Sequence, residues 1–301
     1  MKLPQTKTAW GKHFKKLQEE IILADRTGKE HALILAETIE KTILRQAKQA
    51  KGNIGLLFSG GVDSTLIGFI LKKHNIPFTA VTVGFQDNED QKLPDDILEA
   101  RKIGRQLLFE YVEDMRDFSA MEELFLKTTS ILGEEISDAI NVGVGSVEIA
   151  AIKTLIDHDV TDIFGGLGSE ELFAGYLRHK QAEDKHNECW QGLLAMFERD
   201  MKREFAIAKR LGVEVWAPFL DEELVRVAMT IPDTFKLNDT ESKVILRDAA
   251  EVLGLPKEMA RRPKKAAQYG SRTDKALDKL AKKHGFKYKK EYIAYLIENE
   301  H

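Results

Sequence analysis

Leu56-Leu57-Phe58-Ser59-Gly60-Gly61-Val62-Asp63-Ser64-Thr65 carries an apolar segment into two glycines and on toward a second apolar segment, Leu66-Ile67-Gly68-Phe69-Ile70-Leu71. Ile54 to Phe58 reads as a buried parallel strand, and the run from Leu66 reads as the start of a helix. A strand, a glycine turn and a helix start make a phosphate-binding geometry. The glycines let backbone N–H groups approach an anion, and the helix N-terminus adds favourable dipole charge. Ser59 and Ser64 add hydroxyl donors, and Asp63 adds a carboxylate suited to magnesium. The turn is not a Walker loop, which needs Lys before its last Ser/Thr, where this chain has Asp63. Its glycine spacing is not that of a dinucleotide fingerprint either. An ordinary glycine turn before a helix is the plainer alternative.

Upstream, residues 12–50 read as two helices broken at Asp25-Arg26-Thr27-Gly28, with apolar residues at three- and four-residue spacing. Downstream the helix runs to about Lys73. Phe78 to Phe85 is then a second buried strand, Gln86 to Leu93 a loop, Asp96 to Ile103 a helix and Phe109 to Val112 a third strand. A helix is expected near Met121–Ile131, a glycine loop over Asn141 to Ser146, and a helix over Val147 to Asp157. Asp162-Ile163-Phe164 is a fourth strand. It enters Gly165-Gly166-Leu167-Gly168-Ser169-Glu170-Glu171, a second glycine turn in which Ser169 is a candidate helix cap. From Lys185 onward the pattern is mainly helical. Alternating strands and helices imply an α/β fold with a parallel sheet and right-handed crossovers, with ligands beyond the carboxyl ends of the strands.

The chain has 301 residues, 43% hydrophobic and 31% charged, with a net charge of −4. That balance does not favour nucleic acid as a partner. The single cysteine, Cys189, excludes an internal disulfide and a multi-cysteine zinc site, which suits a cytoplasmic setting. No apolar run approaches the ~20 residues of a membrane span.

Ser59-Gly60-Gly61-Val62-Asp63-Ser64 resembles the pyrophosphate loop of the N-type ATP pyrophosphatases, which cleave ATP between its α and β phosphates. Three further stretches follow in order. Gly165 to Tyr176 resembles the Ser-Gly-Glu-Gly-Ser-Asp-Glu-Leu-Phe-Gly-Gly-Tyr segment of asparagine synthetases. Trp216-Ala217-Pro218-Phe219-Leu220-Asp221 resembles their Arg-x-Pro-Phe-Leu-Asp signature. Lys243-Val244-Ile245-Leu246-Arg247, Leu255-Pro256 and Arg262-Pro263-Lys264-Lys265 resemble their tail. The likeness, from about Asn53 to Ser271, is to the carboxy-terminal domain of the asparagine synthetases, whose relatives include the β-lactam synthetases.

That resemblance implies an adenine nucleotide α-hydrolase-like sheet of about five strands with helices on both faces. It divides the chain into a helical lead-in (1–50), a pyrophosphatase core (51–184) and a helical part (185–301). It also implies roles. Ser59, Gly60, Gly61, Asp63 and Ser64 would hold pyrophosphate and its metal. Phe58 and Val83 would meet adenosine through backbone groups, and Gly165 and Gly166 would lie against the nucleotide or acyl group. Asp63 and Glu170 would bind magnesium, and Lys264 would support the phosphate during adenylation. The cofactors implied are ATP and Mg2+, and the substrates a carboxylate, with aspartate leading, and ammonia. Asp221 and Arg247 read as structural, a helix cap and a buried charge partner.

Three departures bear on the acceptor. The family's N-terminal cysteine nucleophile has no counterpart in Met1-Lys2, so nitrogen would come as free ammonia, as an amine, or from a separate glutaminase subunit. The first glutamate of the second segment is Leu167, which cannot take a proton; Glu148 and Glu171 are the substitutes weighed. The metal-binding Asp is Glu170, and the signature Arg is Trp216. A tailoring or RNA-modifying enzyme of the same superfamily, or a nucleotide-binding module without turnover, are the alternatives. Leu277 to His301 reads as a solvated terminal helix.

Overall fold

The computed structural model describes residues 3–87, 92–262 and 267–299. Five parallel strands form its sheet: β1 (Asn53–Leu57), β2 (Phe78–Phe85), β3 (Glu110–Arg116), β4 (Val160–Phe164) and β5 (Glu214–Trp216). Their order across the sheet is β3-β2-β1-β4-β5. The chain therefore builds outward from β1 on one side, then returns to lay β4 against β1's other edge. The point where the winding reverses lies between β1 and β4, and in open α/β sheets ligands bind at such a switch point.

In chain order the helices are α1 (Lys7–Glu20), α2 (Gly28–Gln49), α3 (Val62–Lys73), α4 (Asp95–Gln106), α5 (Phe118–Leu132) and α6 (Ala139–Ile156). Next come α7 (Ser169–Leu172), α8 (Leu177–Gln181), α9 (Lys185–Met196), a π-helical turn at Phe197–Met201, α10 (Lys202–Leu211), α11 (Glu222–Met229) and α12 (Asp233–Lys236). Then follow α13 (Val244–Val252), α14 (Lys257–Ala260), α15 (Ala267–Gly270), α16 (Thr273–Lys283) and α17 (Lys289–Glu298).

The alternation of a strand separates two cores. Leu56, Ala80 and Phe164 face a cluster that takes in α1, α2, α3, α4 and the helices around α13. Val81, Val83, Val160 and Ile163 face a second cluster made with α5, α6, α10, α16 and α17. Helices thus cover both faces, and β2 is buried along its whole length, as an interior parallel strand requires.

Several boundaries differ from the sequence expectation. Asn141 to Ser146 is not a loop but the first half of α6, and Gly143 and Gly145 are both buried within it. At Gly145 a Cβ would meet Arg203 Cδ at 3.3 Å and Thr128 Cγ2 at 3.4 Å, so the glycine serves close helix packing that outweighs its poor propensity. By length and composition α6 is also apolar enough to cross a membrane, with mean hydropathy 1.5, yet 61% of it is buried against α5 and the sheet. β5, three residues long, falls inside the stretch read as helical. The expected terminal helix is two helices, and Leu277, Leu280, Tyr292, Ile293 and Leu296 are buried rather than solvated.

Candidate functional site

β1 ends at Leu57, and Phe58 still donates its N–H to the Val81 carbonyl at 2.9 Å. The chain then turns through Gly60, at φ +67°, and enters α3 at Val62. The helix starts earlier than the apolar pattern suggested, so Asp63 and Ser64 lie in its first turn. Gly61 caps α3 with no side-chain hydrogen bond, the condition under which first-turn amides take up an anion. Ser59 and Ser64 face each other across the turn: the Ser59 N–H donates to Ser64 Oγ at 3.3 Å, and Ser64 Oγ donates to the Gly61 carbonyl at 3.3 Å.

The second turn leaves β4, the neighbour of β1. Gly165 donates its N–H to the Trp216 carbonyl at 3.1 Å. Gly166 lies against Asp63: a Cβ there would come within 2.8 Å of Asp63 Cβ. Gly168, at φ +93°, caps the four-residue α7, so Ser169 is its first helical residue and not its cap. This hydroxyl and Glu170 point to the same place as Asp63.

What joins them is Lys243. Its Nζ lies 2.9 and 2.8 Å from the two Asp63 carboxylate oxygens, 2.7 Å from Glu170 Oε1 and 3.1 Å from Ser169 Oγ. Burial pulls the Lys243 amine down, but the charges of Asp63 and Glu170 outweigh it and leave its pKa raised. Asp63 is buried and Glu170 half-buried, its side chain 26% exposed. Gly175 makes the meeting possible: a Cβ there would stand 1.7 Å from Glu170 Oε2 and 2.5 Å from Lys243 Cε. Two acids from two glycine turns thus converge on one buried spot at the mouth of the switch point. Magnesium is held by one or two carboxylates completed by phosphate oxygens and water. The donor set fits such an ion.

Two arginines frame the first turn. Arg262 Nη1 donates to the Gly60 carbonyl at 2.6 Å, and its Nε lies 3.4 Å from Glu99. Arg247 is buried and donates to three carbonyls, Ser242 at 2.9 Å, Ala260 at 2.5 Å and Arg262 at 3.2 Å, with Glu241 at 3.5 Å. It ties the 260–262 segment to α13 and so seats Arg262 over the turn. Asp221 is the cap of α11, accepting from the Glu223 N–H at 3.1 Å, and pairs with Arg45 at 2.6 Å. Lys264 lies outside the described residues, as do residues 88–91 of the expected loop.

At the carboxyl ends of β1 and β2 the main-chain groups of Phe58 and Val83 have different surroundings. The Phe58 ring is buried edge-on to Phe109 at 5.5 Å, its N–H is spent on Val81, and its carbonyl accepts the Thr82 hydroxyl. In β2, Val81 and Phe85 turn their main-chain groups to the β1 side, to Phe58 and to the Ser271 carbonyl (2.8 Å) respectively. By the two-residue alternation of a strand, Val83 turns its own to the same side, beyond the last β1 partner at Leu57.

The asparagine synthase family model matches residues 35–209 and 184–291. The chain belongs to the asparagine synthase family. It is similar to a Methanocaldococcus jannaschii protein named as a glutamine-hydrolyzing asparagine synthetase, 27% identical over 315 aligned residues that cover 92% of this chain and 56% of that one. It is also similar to the human glutamine-hydrolyzing asparagine synthetase, 28% identical over 260 residues, 82% of this chain and 43% of that one. The chain spans about half the length of the curated relatives it matches. Among solved structures, NMN synthetase from Francisella tularensis aligns with TM-score 0.41 at 14% identity, covering 92% of this chain and 95% of that one. An NH3-dependent NAD synthetase from Campylobacter jejuni aligns with TM-score 0.34 at 16% identity, covering 70% and 98%. Both scores are low, and the fold described above rests on the sheet itself.

Leu167, where the resembling asparagine synthetase segment carries glutamate, is half-buried and packs against the first core cluster. Neither weighed substitute is free to act there. Glu171 is buried and ion-paired with Arg199, with Arg178 at 3.7 Å; burial raises its pKa, Arg199 opposes. Glu148 is buried on α6 beside Arg203 at 3.7 Å and next to Glu204, and burial keeps it well above the usual carboxylate range. Trp216 donates its indole N–H to Asp162 at 2.8 Å and stacks on Phe164 at 5.9 Å, filling a structural place. Cys189 is buried in α9 with its thiol pKa raised by burial, the setting of an inert cysteine.

Proposed function

We propose that the chain is an ATP-dependent, AMP-forming amide ligase. It would activate a carboxylate as an acyl adenylate and pass the acyl group to ammonia, with aspartate to asparagine as the leading reaction. One observation carries this: Asp63 from the first glycine turn and Glu170 from the second meet on the same nitrogen, beside the uncapped start of α3. Family membership supports it.

In this mechanism the Ser59–Ser64 turn and the first turn of α3 cradle the β and γ phosphates of ATP, and Val83 meets the adenine through its main chain. Asp63 and Glu170 would hold magnesium, which supplies positive charge to the phosphoryl oxygens and to departing pyrophosphate. Positioning by the loop amides lines the substrate carboxylate up with the α-phosphorus. A carboxylate oxygen bonds to that phosphorus as the bond to pyrophosphate breaks. Ammonia nitrogen then bonds to the acyl carbon, the electron pair of the acyl–oxygen bond leaves with AMP, and the nitrogen loses a proton to solvent. Lys264, by the resemblance of its stretch to the family's tail, would support the phosphate during adenylation. The ammonia would be free or handed over by a separate glutaminase subunit.

The test is exchange of labelled pyrophosphate into ATP, run with aspartate and with a panel of other carboxylates. Exchange that requires aspartate supports the full reading. Exchange with another carboxylate keeps the chemistry and replaces the substrate. A second reading, nucleotide binding without turnover, has Leu167 behind it. Calorimetry that shows ATP binding, with no pyrophosphate released for any acceptor, would select it.

A further inference from the structure

We propose that Lys243 is a built-in counter-cation: it occupies the metal position between Asp63 and Glu170 until a phosphate-bearing ligand arrives, so that divalent metal and nucleotide load together and metal alone does not. This rests on the reading of those two acids as sharing a metal. Four oxygens surround one ammonium nitrogen at 2.7–3.1 Å, more than its three N–H donors can serve singly. The ammonium bridges two carboxylates and a hydroxyl at once, which a single salt bridge does not. It is held in place by the fold: Lys243 sits at φ +57° as the residue before α13, and its stem passes the face of Gly175.

Its consequence is a competition. Magnesium gives up its water reluctantly and wants ligands at about 2.0–2.1 Å, closer than the ammonium keeps these oxygens. A free metal ion would have to displace a bonded ammonium, on a side chain only 5% exposed, and leave it without counter-charge in a low-dielectric site. A triphosphate changes both terms. It brings its own negative charge for the displaced ammonium, and its oxygens complete the metal's shell. The flexible four-carbon stem lets the nitrogen move while the backbone stays. Metal and nucleotide are then coupled, and the coupling is reciprocal.

The probe is Mn2+, followed by the paramagnetic resonance of the free ion, with and without a non-hydrolysable α,β-methylene analogue of ATP. Wild-type protein should bind Mn2+ weakly alone and at least about tenfold more tightly with the analogue. Lys243→Met should bind Mn2+ alone at least about tenfold more tightly than wild type, and the coupling should shrink by the same factor. Lys243→Gln, a smaller perturbation of the site, is measured beside it, with circular dichroism to confirm folding; it should move the same way. The gain must vanish in the double variant Lys243→Met/Asp63→Asn. Equal Mn2+ affinity of nucleotide-free wild type and both single variants overturns the proposal, and so does a gain that survives in the double variant. If the analogue fails to bind wild type at all, the nucleotide reading fails, while the nucleotide-free comparison still decides the role of Lys243.

Discussion

Lys236 and Lys243 stand on either side of the short connection between α12 and α13, and both are withdrawn from solvent, at 0% and 4% exposure. Their surroundings differ. Around Lys243 two carboxylates and a hydroxyl converge. The Lys236 amine has Met229 sulfur at 3.5 Å as its hydrogen-bond partner, with Cys189 and Asp233 more remote. Burial lowers the Lys236 pKa and its neighbours do too little to restore it; at Lys243 two acids do restore it. Depth alone therefore does not set the direction in which a lysine's pKa moves. The partners do, and at Lys243 they are acids from two separate turns.

The largest effect should come from breaking the charged side of this pair. Asp63→Asn should lower carboxylate-dependent pyrophosphate exchange by about 10²–10³-fold, since it removes one of the two carboxylates proposed to hold the metal that faces the phosphoryl oxygens. It should also cost about 3–5 kcal/mol in denaturant unfolding, because a buried ammonium loses a counter-ion. Gly175→Ala comes next. Its Cβ would fall 1.7 Å from the Glu170 carboxylate, so Glu170 and Lys243 must part. Up to about 3 kcal/mol of stability should go, and Mn2+ binding in the presence of nucleotide should weaken with it.

The Lys236 side should behave in the opposite sense. Lys236→Met replaces a buried amine by an apolar chain of similar length and should raise stability by up to about 3 kcal/mol, with exchange activity unchanged. The sign with pH follows from linkage. Because the folded-state pKa of Lys236 is lowered, the unfolded chain binds more protons between that value and the ordinary ~10.4. Wild-type stability should rise with pH across that window, and the variant's slope should be smaller. Unfolding curves at several alkaline pH values measure both.

A smaller effect of the same kind belongs to His179, buried with its Nδ1 accepting the Tyr176 N–H at 3.1 Å. Burial and then Arg178 hold its pKa down to about 4. The unfolded chain takes up a proton first as pH falls through ~6.5, so about 2 kcal/mol should be lost between pH 6.5 and 5. His179→Gln should flatten that part of the profile, as read by urea midpoints.

Much of the frame was legible in the sequence, because a parallel strand buried on both faces is a continuous apolar run. Phe78 to Phe85 was bounded correctly for that reason. The two glycine turns were legible too, and β1 and β4 do lie side by side, bringing Asp63 and Glu170 together. Gly143 and Gly145 misled, since a glycine chosen for close helix packing looks like a glycine chosen for a loop. β5 was too short to show a period. Lys243 stands inside a Lys-x-x-Leu-Arg stretch in which nothing local marks its role. Its partner Asp63 lies 180 residues away, and a lysine's counter-ions leave no local trace. The one signal was its place at the head of that stretch.

The central claim is that two glycine turns grip one metal–triphosphate between Asp63 and Glu170. Its most direct test is the metal dependence of pyrophosphate exchange in Glu170→Gln, a change in the second turn alone. The account predicts that the Mg2+ concentration needed for half-maximal exchange rises by about tenfold or more. Metal dependence that coincides with wild type would contradict it.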